Sequence, residues 1–311
     1  MSISSHNESE SQRVFEALCS TGSTAEITYQ LTGLVVFNVF LAFIATAGNN
    51  TLILVALNKV SSLHPPSKLL FRNLAVTDLC VGVIAQPIYV TYVILLLTEN
   101  WKICRRALVA SFTVSSILGA VSLPTLTAIS VDRLLALLLR LKYRQVVTLW
   151  RTKVLVLNIW VSATVCGAMY FLSYNVALQG TIIFLSLLLT ASIFSYNWIF
   201  HALYHHQSQV QNAFQIQPSR TLPLNIARYR KAVSSALWMQ LVLVACYLPY
   251  GIVVALWAYS GISSVVFLVV HCSITLAHLN SSLNPIIYCW KIKELKQIVK
   301  QTIREFFSSR S

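Results

Sequence analysis

Charge is what this sequence has least of. Charged side chains make up 10% of its 311 residues, against about 25% in an ordinary soluble domain, which excludes a soluble globular protein. Glycine and proline are thin as well, at nine and eight residues, so neither a collagen-like repeat nor a low-complexity disordered chain fits. Seven cysteines in a chain of this length are too sparse for a small disulfide scaffold. Acids are the scarcest charges, nine against 23 Lys and Arg, for a net charge of +14. What is abundant is apolar surface: 56% of residues are hydrophobic and the mean hydropathy is +0.68. The combination leaves a polytopic membrane protein. The Lys and Arg residues cluster between apolar runs with no nucleic-acid-reading motif beside them, and basic loops are normally topology signals, so nucleic acid is not an expected partner.

Apolar stretches long enough to cross a bilayer, roughly 20 residues each, occur at about 31–57, 69–96, 107–139, 153–173, 181–204, 232–259 and 263–290. The runs are continuous rather than alternating, and only a helix satisfies its backbone polar groups within one segment, so these are helices. The expected fold is an all-α membrane protein: an N-terminal tail over 1–30, a seven-transmembrane helix bundle over 31–290, and a short amphipathic helix and tail over 291–311. No internal repeat or second domain is visible.

Seven spans put the two ends of the chain on opposite sides. One set of loops, with the C-terminal segment, carries 19 Lys and Arg, among them Arg140, Lys142, Arg144, Arg228, Arg230 and Lys296. The other set carries four: Arg13, Lys102, Arg105 and Arg106. The positive-inside bias therefore predicts an extracellular N-terminus and a cytoplasmic C-terminus. Residues 1–30 hold no apolar core of a cleavable signal peptide, and the first helix serves as the targeting signal. Asn7-Glu8-Ser9 is a glycosylation acceptor on the expected outer side. After the seventh span, Ile292, Leu295, Val299, Ile303 and Phe306 recur at helical spacing between Lys and Arg, the pattern of a basic helix lying on the inner leaflet.

Polar groups inside spans are costly and therefore informative, since an intramembrane carboxylate costs about 2.5–3.5 kcal/mol to insert. Only Asp78 and Asp132 qualify. Asp132 is followed by Arg133 at the end of the third span, where the pair neutralises itself. Asp78 lies near the middle of the second span with no basic residue at similar depth, so it is protonated, hydrogen-bonded or paired with an ion. Asn50, Ser122, Asn280, Ser281 and Asn284 are the other mid-membrane polar groups. They fit either an oxygen-rich site for a monovalent cation or a plain interhelical hydrogen-bond network. His201 and His205 share a helix face, but Ala202 stands where a metalloprotease helix needs Glu, so they read as end-of-span residues. His278 faces either a ligand or another helix. Cys80, Cys166, Cys246 and Cys289 read as reduced packing residues. Cys19, Cys104 and Cys272 lie toward the outer side, where one disulfide is permitted and one thiol is left over.

In order along the chain, the residues resemble the class A, rhodopsin-like G-protein-coupled receptors, from about residue 30 to 307. The carriers are Gly48-Asn49-Asn50-Thr51-Leu52 in the first span and Asn73-Leu74-Ala75-Val76-Thr77-Asp78-Leu79 in the second. Ser130-Val131-Asp132-Arg133-Leu134 with Lys142-Tyr143 follow in the third and its loop, Trp160 in the fourth, and Tyr196 with Ile199 in the fifth. Cys246-Tyr247-Leu248-Pro249 marks the sixth span and Asn280-Ser281-Ser282-Leu283-Asn284-Pro285-Ile286-Ile287-Tyr288 the seventh. One such motif is weak evidence; seven at the right depths are strong.

The resemblance implies a plasma-membrane receptor that turns binding of an unidentified extracellular ligand into activation of a heterotrimeric G protein. Arg133, released from Asp132, would meet the G protein when the sixth helix swings outward about Pro249, with Tyr196 and Tyr288 steadying the open state and Asn284 and Pro285 completing the switch. It also implies that Asp78, Ser122, Asn280 and Ser281 form a sodium pocket that stabilises the resting state; no other metal or cofactor is implied. Leu134 replaces the tyrosine of Asp-Arg-Tyr and Tyr247 the sixth-helix tryptophan. Leu188 stands in place of a common fifth-helix proline, and Leu243 in place of a phenylalanine. Tyr229 occupies the place of an acid that holds the arginine in many relatives, so a weakened resting lock and basal signalling are expected. The family's third-helix cysteine position is Leu108, and the loop from about Ser173 to Gly180 has no cysteine, so the usual third-helix-to-loop disulfide is absent.

The short loop and the missing proline resemble the melanocortin, cannabinoid, adenosine and lysophospholipid branch, and Leu276-Ala277-His278-Leu279-Asn280-Ser281 looks most like adenosine receptors. Ligand identity does not follow. Ser115 stands where aminergic receptors keep an aspartate, and Val254 where adenosine receptors keep an asparagine. Ser115, Tyr247, Tyr250 and His278 are the candidate pocket residues. Two readings from other classes compete: a transporter or channel, which needs broken helices and paired repeats, and a seven-span hydrolase, which needs convergent His and Asp ligands.

Overall fold

The computed structural model describes residues 18–19, 25–46, 51–61, 63–139, 142–172, 244–256, 263–291 and 293–308, together with isolated positions between 179 and 242. Among them the regular structure is helical and no strand occurs. A turn of 3-10 helix, Ala25–Ile27, leads into the first span, Thr28–Lys59. The second is Pro65–Leu97, the third Trp101–Leu139 and the fourth Leu149–Leu172. The sixth is represented by Val244–Leu256 and the seventh by Ser264–Lys291. Between the fourth and the sixth, positions 183, 186, 187, 190, 193, 194, 197, 198 and 201 are all helical and all exposed. These positions fall within the expected fifth span.

The helices run past the apolar runs seen in the sequence. The third begins at Trp101, because the amphipathic Trp101 and Lys102 belong at a bilayer surface and extend the helix rather than end it. Burial is inverted relative to a soluble protein. Phe37, Phe40, Phe43, Leu157, Val161 and Val165 are exposed, where lipid would meet them, while Asn38, Thr77, Asp78, Gln86, Ser122 and Asn280 are buried.

Irregular turns shape the described part of the bundle, and residues 44–46 of the first span are π-helical. The second span is α-helical to Cys80, takes π-helical turns over Val81–Ala85 and resumes at Gln86. Pro87 explains the interruption, since its ring cannot fit against the carbonyl one turn back and it has no N–H to give. The wider turn sets Gln86, Tyr89 and Tyr92 into the interior, all buried. Opposite it, the first span approaches so closely that a Cβ on Gly82 would lie 2.7 Å from Thr46 Oγ1 and 3.0 Å from Ala45 Cβ. The third span keeps its helix through Pro124 and packs against the second and fourth. A polar thread joins these three: Trp160 Nε1 donates to Asn73 Oδ1 at 2.9 Å, and Asn73 Nδ2 donates to Thr125 Oγ1 at 3.0 Å.

The chain turns after the seventh span into a final helix, Lys293–Ser308. Leu295 is fully buried against the first and second spans, Glu294 accepts from the backbone N–H of Ser61 at 3.0 Å, and Lys59 pairs with Glu305 at 3.5 Å. At the other end Cys19 and Cys104 form a disulfide that fastens the N-terminal tail to the start of the third span. Of the three cysteines expected on that side, Cys272 is the free one; Cys80, Cys166, Cys246 and Cys289 are also free. Leu108 is buried in an apolar cluster.

Candidate functional site

At the end of the bundle away from that disulfide, Asp132 is buried and both its oxygens are taken. Ser67 Oγ donates to Oδ2 at 2.7 Å and Tyr143 Oη donates to Oδ1 at 2.7 Å. Arg133 Nη2 approaches the same Oδ2 at 3.4 Å, and its guanidinium lies over the Phe71 ring, 5.3 Å from the centroid. Arg133 Nε and Nη2 have no hydrogen-bond partner among the described residues. Tyr143 sits on a short helical turn, Tyr143–Val146, just beyond the third span. Burial pushes its hydroxyl up to about 12, and the Asp132 carboxylate adds to the shift. The phenol is therefore a permanent donor to Asp132 at neutral pH.

At mid-depth Asp78 is completely buried. Asn284 Nδ2 donates to its Oδ2 at 2.9 Å, and Ser281 is a second partner. Its Oδ1 has none among the described residues, and neither do Ser122 Oγ or the side-chain atoms of Asn280. Tyr247, on the sixth helix, borders Asp78, Ser122 and Asn280. Orphaned buried oxygens are expensive, and a carboxylate, a hydroxyl and an amide oxygen are the donor set that suits a hard monovalent cation. The residues present therefore fit a sodium ion.

Above Tyr247 a cavity of about 100 Å³ opens between the second, third, fourth, sixth and seventh spans. Ser115, Tyr247, Tyr250 and His278 all line it, with Tyr89, Tyr92, Phe112 and Ile274. His278 is held from behind: its Nδ1 is 3.0 Å from Asn38 Oδ1, while Asn38 Nδ2 donates to Leu34 O and to Thr275 Oγ1, each at 2.9 Å. Ser115 Oγ and His278 Nε2 have no partner among the described residues. The outer wall is aromatic. Tyr89 Oη lies 2.8 Å from His271 Nδ1, the Tyr92 and His271 rings stack at 5.9 Å, and Tyr92 Oη donates to Leu18 O at 3.3 Å.

The fold thus brings the expected residues into three groups along one axis: Asp132 and Arg133; Asp78, Ser122, Asn280, Ser281 and Asn284; and Ser115, Tyr247, Tyr250 and His278. Pro249 lies within Val244–Leu256, one turn before Val253. Pro285 and Tyr288 lie in the helix Ser264–Lys291. Asn7, Asn50, Tyr196, Leu188, His205, Tyr229 and Leu243 fall outside the described residues, as do the side chains of Leu134, Pro285 and Tyr288. His201 is helical and exposed, and no group of three metal-ligating side chains occurs among the described residues.

Sequence reasoning missed the residues that hold these groups. Ser67 and Phe71 carry no signal, being ordinary residues for a helix. Asn38 did carry one, as an amide inside the first apolar run where an unpaired polar group is costly. His271 carried the same signal.

The model of the family described as 7 transmembrane receptor (rhodopsin family) matches residues 49–179 and 171–288, most of the chain. That is a family of multi-pass membrane receptors rather than of enzymes. With the helical architecture and the axial arrangement of polar groups already described, the match settles the assignment: this chain belongs to the rhodopsin family of seven-transmembrane receptors.

Proposed function

We propose that the chain is a ligand-operated switch of the plasma membrane, with its N-terminus and cavity outside and its Asp132 end meeting a heterotrimeric G protein in the cytoplasm. The bias of Lys and Arg supports this orientation, 19 on the Asp132 side against four on the other. The observation that carries the reading is the state of Arg133. The carboxylate beside it is occupied by Ser67 and Tyr143, and the guanidinium rests on an aromatic face, with Nη2 in a long ion pair to Asp132 and neither Nε nor Nη2 hydrogen-bonded among the described residues. A cation held this loosely is free to exchange its place beside Asp132 for a carbonyl or carboxylate of a docking protein.

The cavity and the Asp78 group supply the bias on that exchange. A sodium ion bound there supplies positive charge to a buried carboxylate, and Asp78, Ser122, Asn280 and Ser281 would hold it. Tyr247 touches both the cavity and this group, so a ligand seated against Tyr247 acts on residues of the third, sixth and seventh spans together. Pro249, two residues along, removes a backbone hydrogen bond and gives the sixth helix a place to bend. Asn284, Pro285, Tyr288 and Tyr196 complete the moving parts. A ligand shifts such an equilibrium only by its differential affinity for the two states.

The test is ligand-free G-protein activation in cells, comparing the intact chain with Arg133→Ala at matched surface expression. Basal signalling that disappears with the substitution is expected, Tyr229 offering no acid to restrain Arg133. Equal signalling from both proteins would overturn the role of Arg133.

A further inference from the structure

Leu18 and Cys19 belong to the packed interior although the first span begins only at Thr28. They are 3% and 4% exposed, and Cys104, the disulfide partner, is 0% exposed. Thiol exchange needs access to a sulfur, so a bond buried on both sides is a permanent fastening rather than a redox-sensitive one. Two further contacts hold the same short piece of chain. Leu18 O accepts from Tyr92 Oη at 3.3 Å, and Leu18 borders an apolar gap of about 10 Å³ with Phe267 and His271 of the seventh span. Two residues of the tail are thereby tied to three spans: to the third by the disulfide, to the second by Tyr92 and to the seventh by packing.

Three side chains face two ways. Tyr92, Phe112 and Ile274, one from each of those spans, line this small gap and also the large cavity. They form the partition between the two spaces, and Leu18 bears on it from the side of the gap. The Tyr92 ring is stacked on His271 at 5.9 Å, and the His271 ring lies 4.5 Å from Phe267. That side of the ring is fixed within the spans, whereas its hydroxyl is held by the tail. A gap of about 10 Å³ has no room for a ring to swing into, because close-packed side chains yield only when a neighbour is removed.

We propose that Leu18 is a positioning residue of the cavity. Held in place by the disulfide, it fills the space into which Tyr92 and Phe112 would otherwise move, and so seals the cavity between the second, third and seventh spans and limits its size on that side. A residue outside every span thus decides how large a molecule the cavity takes there. The seal is a matter of shape and holds for whatever the cavity admits.

A native thiol reports on it. Cys166 lines the cavity, whereas Cys272, which is exposed, and Cys246, which is buried, do not. The purified full-length receptor in lipid nanodiscs is reacted with iodoacetamide at neutral pH, and the modified fraction at each cysteine is followed in time by peptide mass spectrometry. Leu18→Ala is expected to speed modification of Cys166 about tenfold, the change that about 1.4 kcal/mol makes in a local opening equilibrium, with Cys272 and Cys246 unchanged. Leu18→Met keeps the bulk and should react like the intact chain. Tyr92→Phe keeps the ring but gives up the bond to Leu18 O, and should fall between the two. An unchanged Cys166 rate in Leu18→Ala overturns the seal. Equal acceleration in Leu18→Met shows that the bulk of residue 18 is not what closes the wall, and acceleration of Cys246 alongside Cys166 shows a general loosening; either overturns the positioning role.

Discussion

Two levels of this bundle bury polar groups in opposite ways. At the end away from the disulfide Asp132 has both oxygens occupied, by Ser67 and Tyr143, with Arg133 alongside. At mid-depth Asp78 accepts from Asn284 with Ser281 as a second partner, while its Oδ1, and atoms of Ser122, Asn280, Ser115 and His278, have no hydrogen bond among the described residues. Both carboxylates lose their hydration, and among the described residues the first is the more fully compensated. The comparison separates two uses of a costly residue. A saturated carboxylate holds a conformation, whereas one with an open oxygen among the described residues leaves room for a further partner.

The sharpest way to break that comparison is to remove each carboxylate. Asp132→Leu strands a tyrosine, a serine and an arginine, and is expected to lower stability by about 3–5 kcal/mol. Asp78→Asn keeps an acceptor for Asn284 and removes an uncompensated charge. It should leave the midpoint in sodium-free buffer unchanged or higher and abolish the rise that sodium chloride gives over choline chloride. Thermal unfolding of the purified receptor in the two salts reads both effects. Equal losses from the two substitutions would erase the distinction.

At the opposite end the disulfide holds buried Leu18 and Cys19 over the aromatic wall of the cavity. Cys19→Ser is expected to cost about 2–4 kcal/mol and Cys272→Ser nothing measurable; a comparison of the two midpoints would settle it. Tyr143→Phe removes one charge-assisted hydrogen bond, for about 1.5–3 kcal/mol, and should lower basal G-protein activation, because the Asp132 oxygen it releases is free to pair with Arg133. A basal signal unchanged by this variant would show that Tyr143 props the loop without restraining the switch.

The pH dependence is the smallest effect. The Tyr143 hydroxyl is raised, so its contribution is present below the ordinary tyrosine range near 10 and lost only as pH rises through about 12. Glu305 is exposed and lowered, by its bond from Gln301 first and by Lys59. Its contact with Lys59 holds above the ordinary carboxylate range and goes as pH falls through the lowered value. Midpoints measured from pH 6 to 9 should move with neither group, and a change confined to that window in Tyr143→Phe would contradict the assignment.

Much of this was legible in the sequence because membrane physics restricts the choices. A bilayer forces apolar runs into helices, and the cost of burial picks out Asp78 and Asp132 from a chain with nine acids. The partners were harder to read. Ser67 meets Asp132 across 65 residues of chain, and Asn38 meets His278 across 240. A serine or asparagine gives no sign in its own segment of which distant helix it will face. The three candidate cysteines left three pairings open, and Cys19 with Cys104 is the one the packed tail permits.

The sequence by itself determined the solvent this protein lives in, the spacing of its spans and the depth of each polar residue, since those follow from composition and from the length of a helix that crosses a bilayer. The tertiary structure alone decided which polar atoms are paired and which are left open. Hydrogen bonds between helices depend on rotation and approach, set here by the π-helical turns at Val81–Ala85 and the close contact at Gly82. A one-residue change of register there would turn Tyr89 and Tyr92 away from His271 and close the cavity wall differently, with no change in any span's hydropathy.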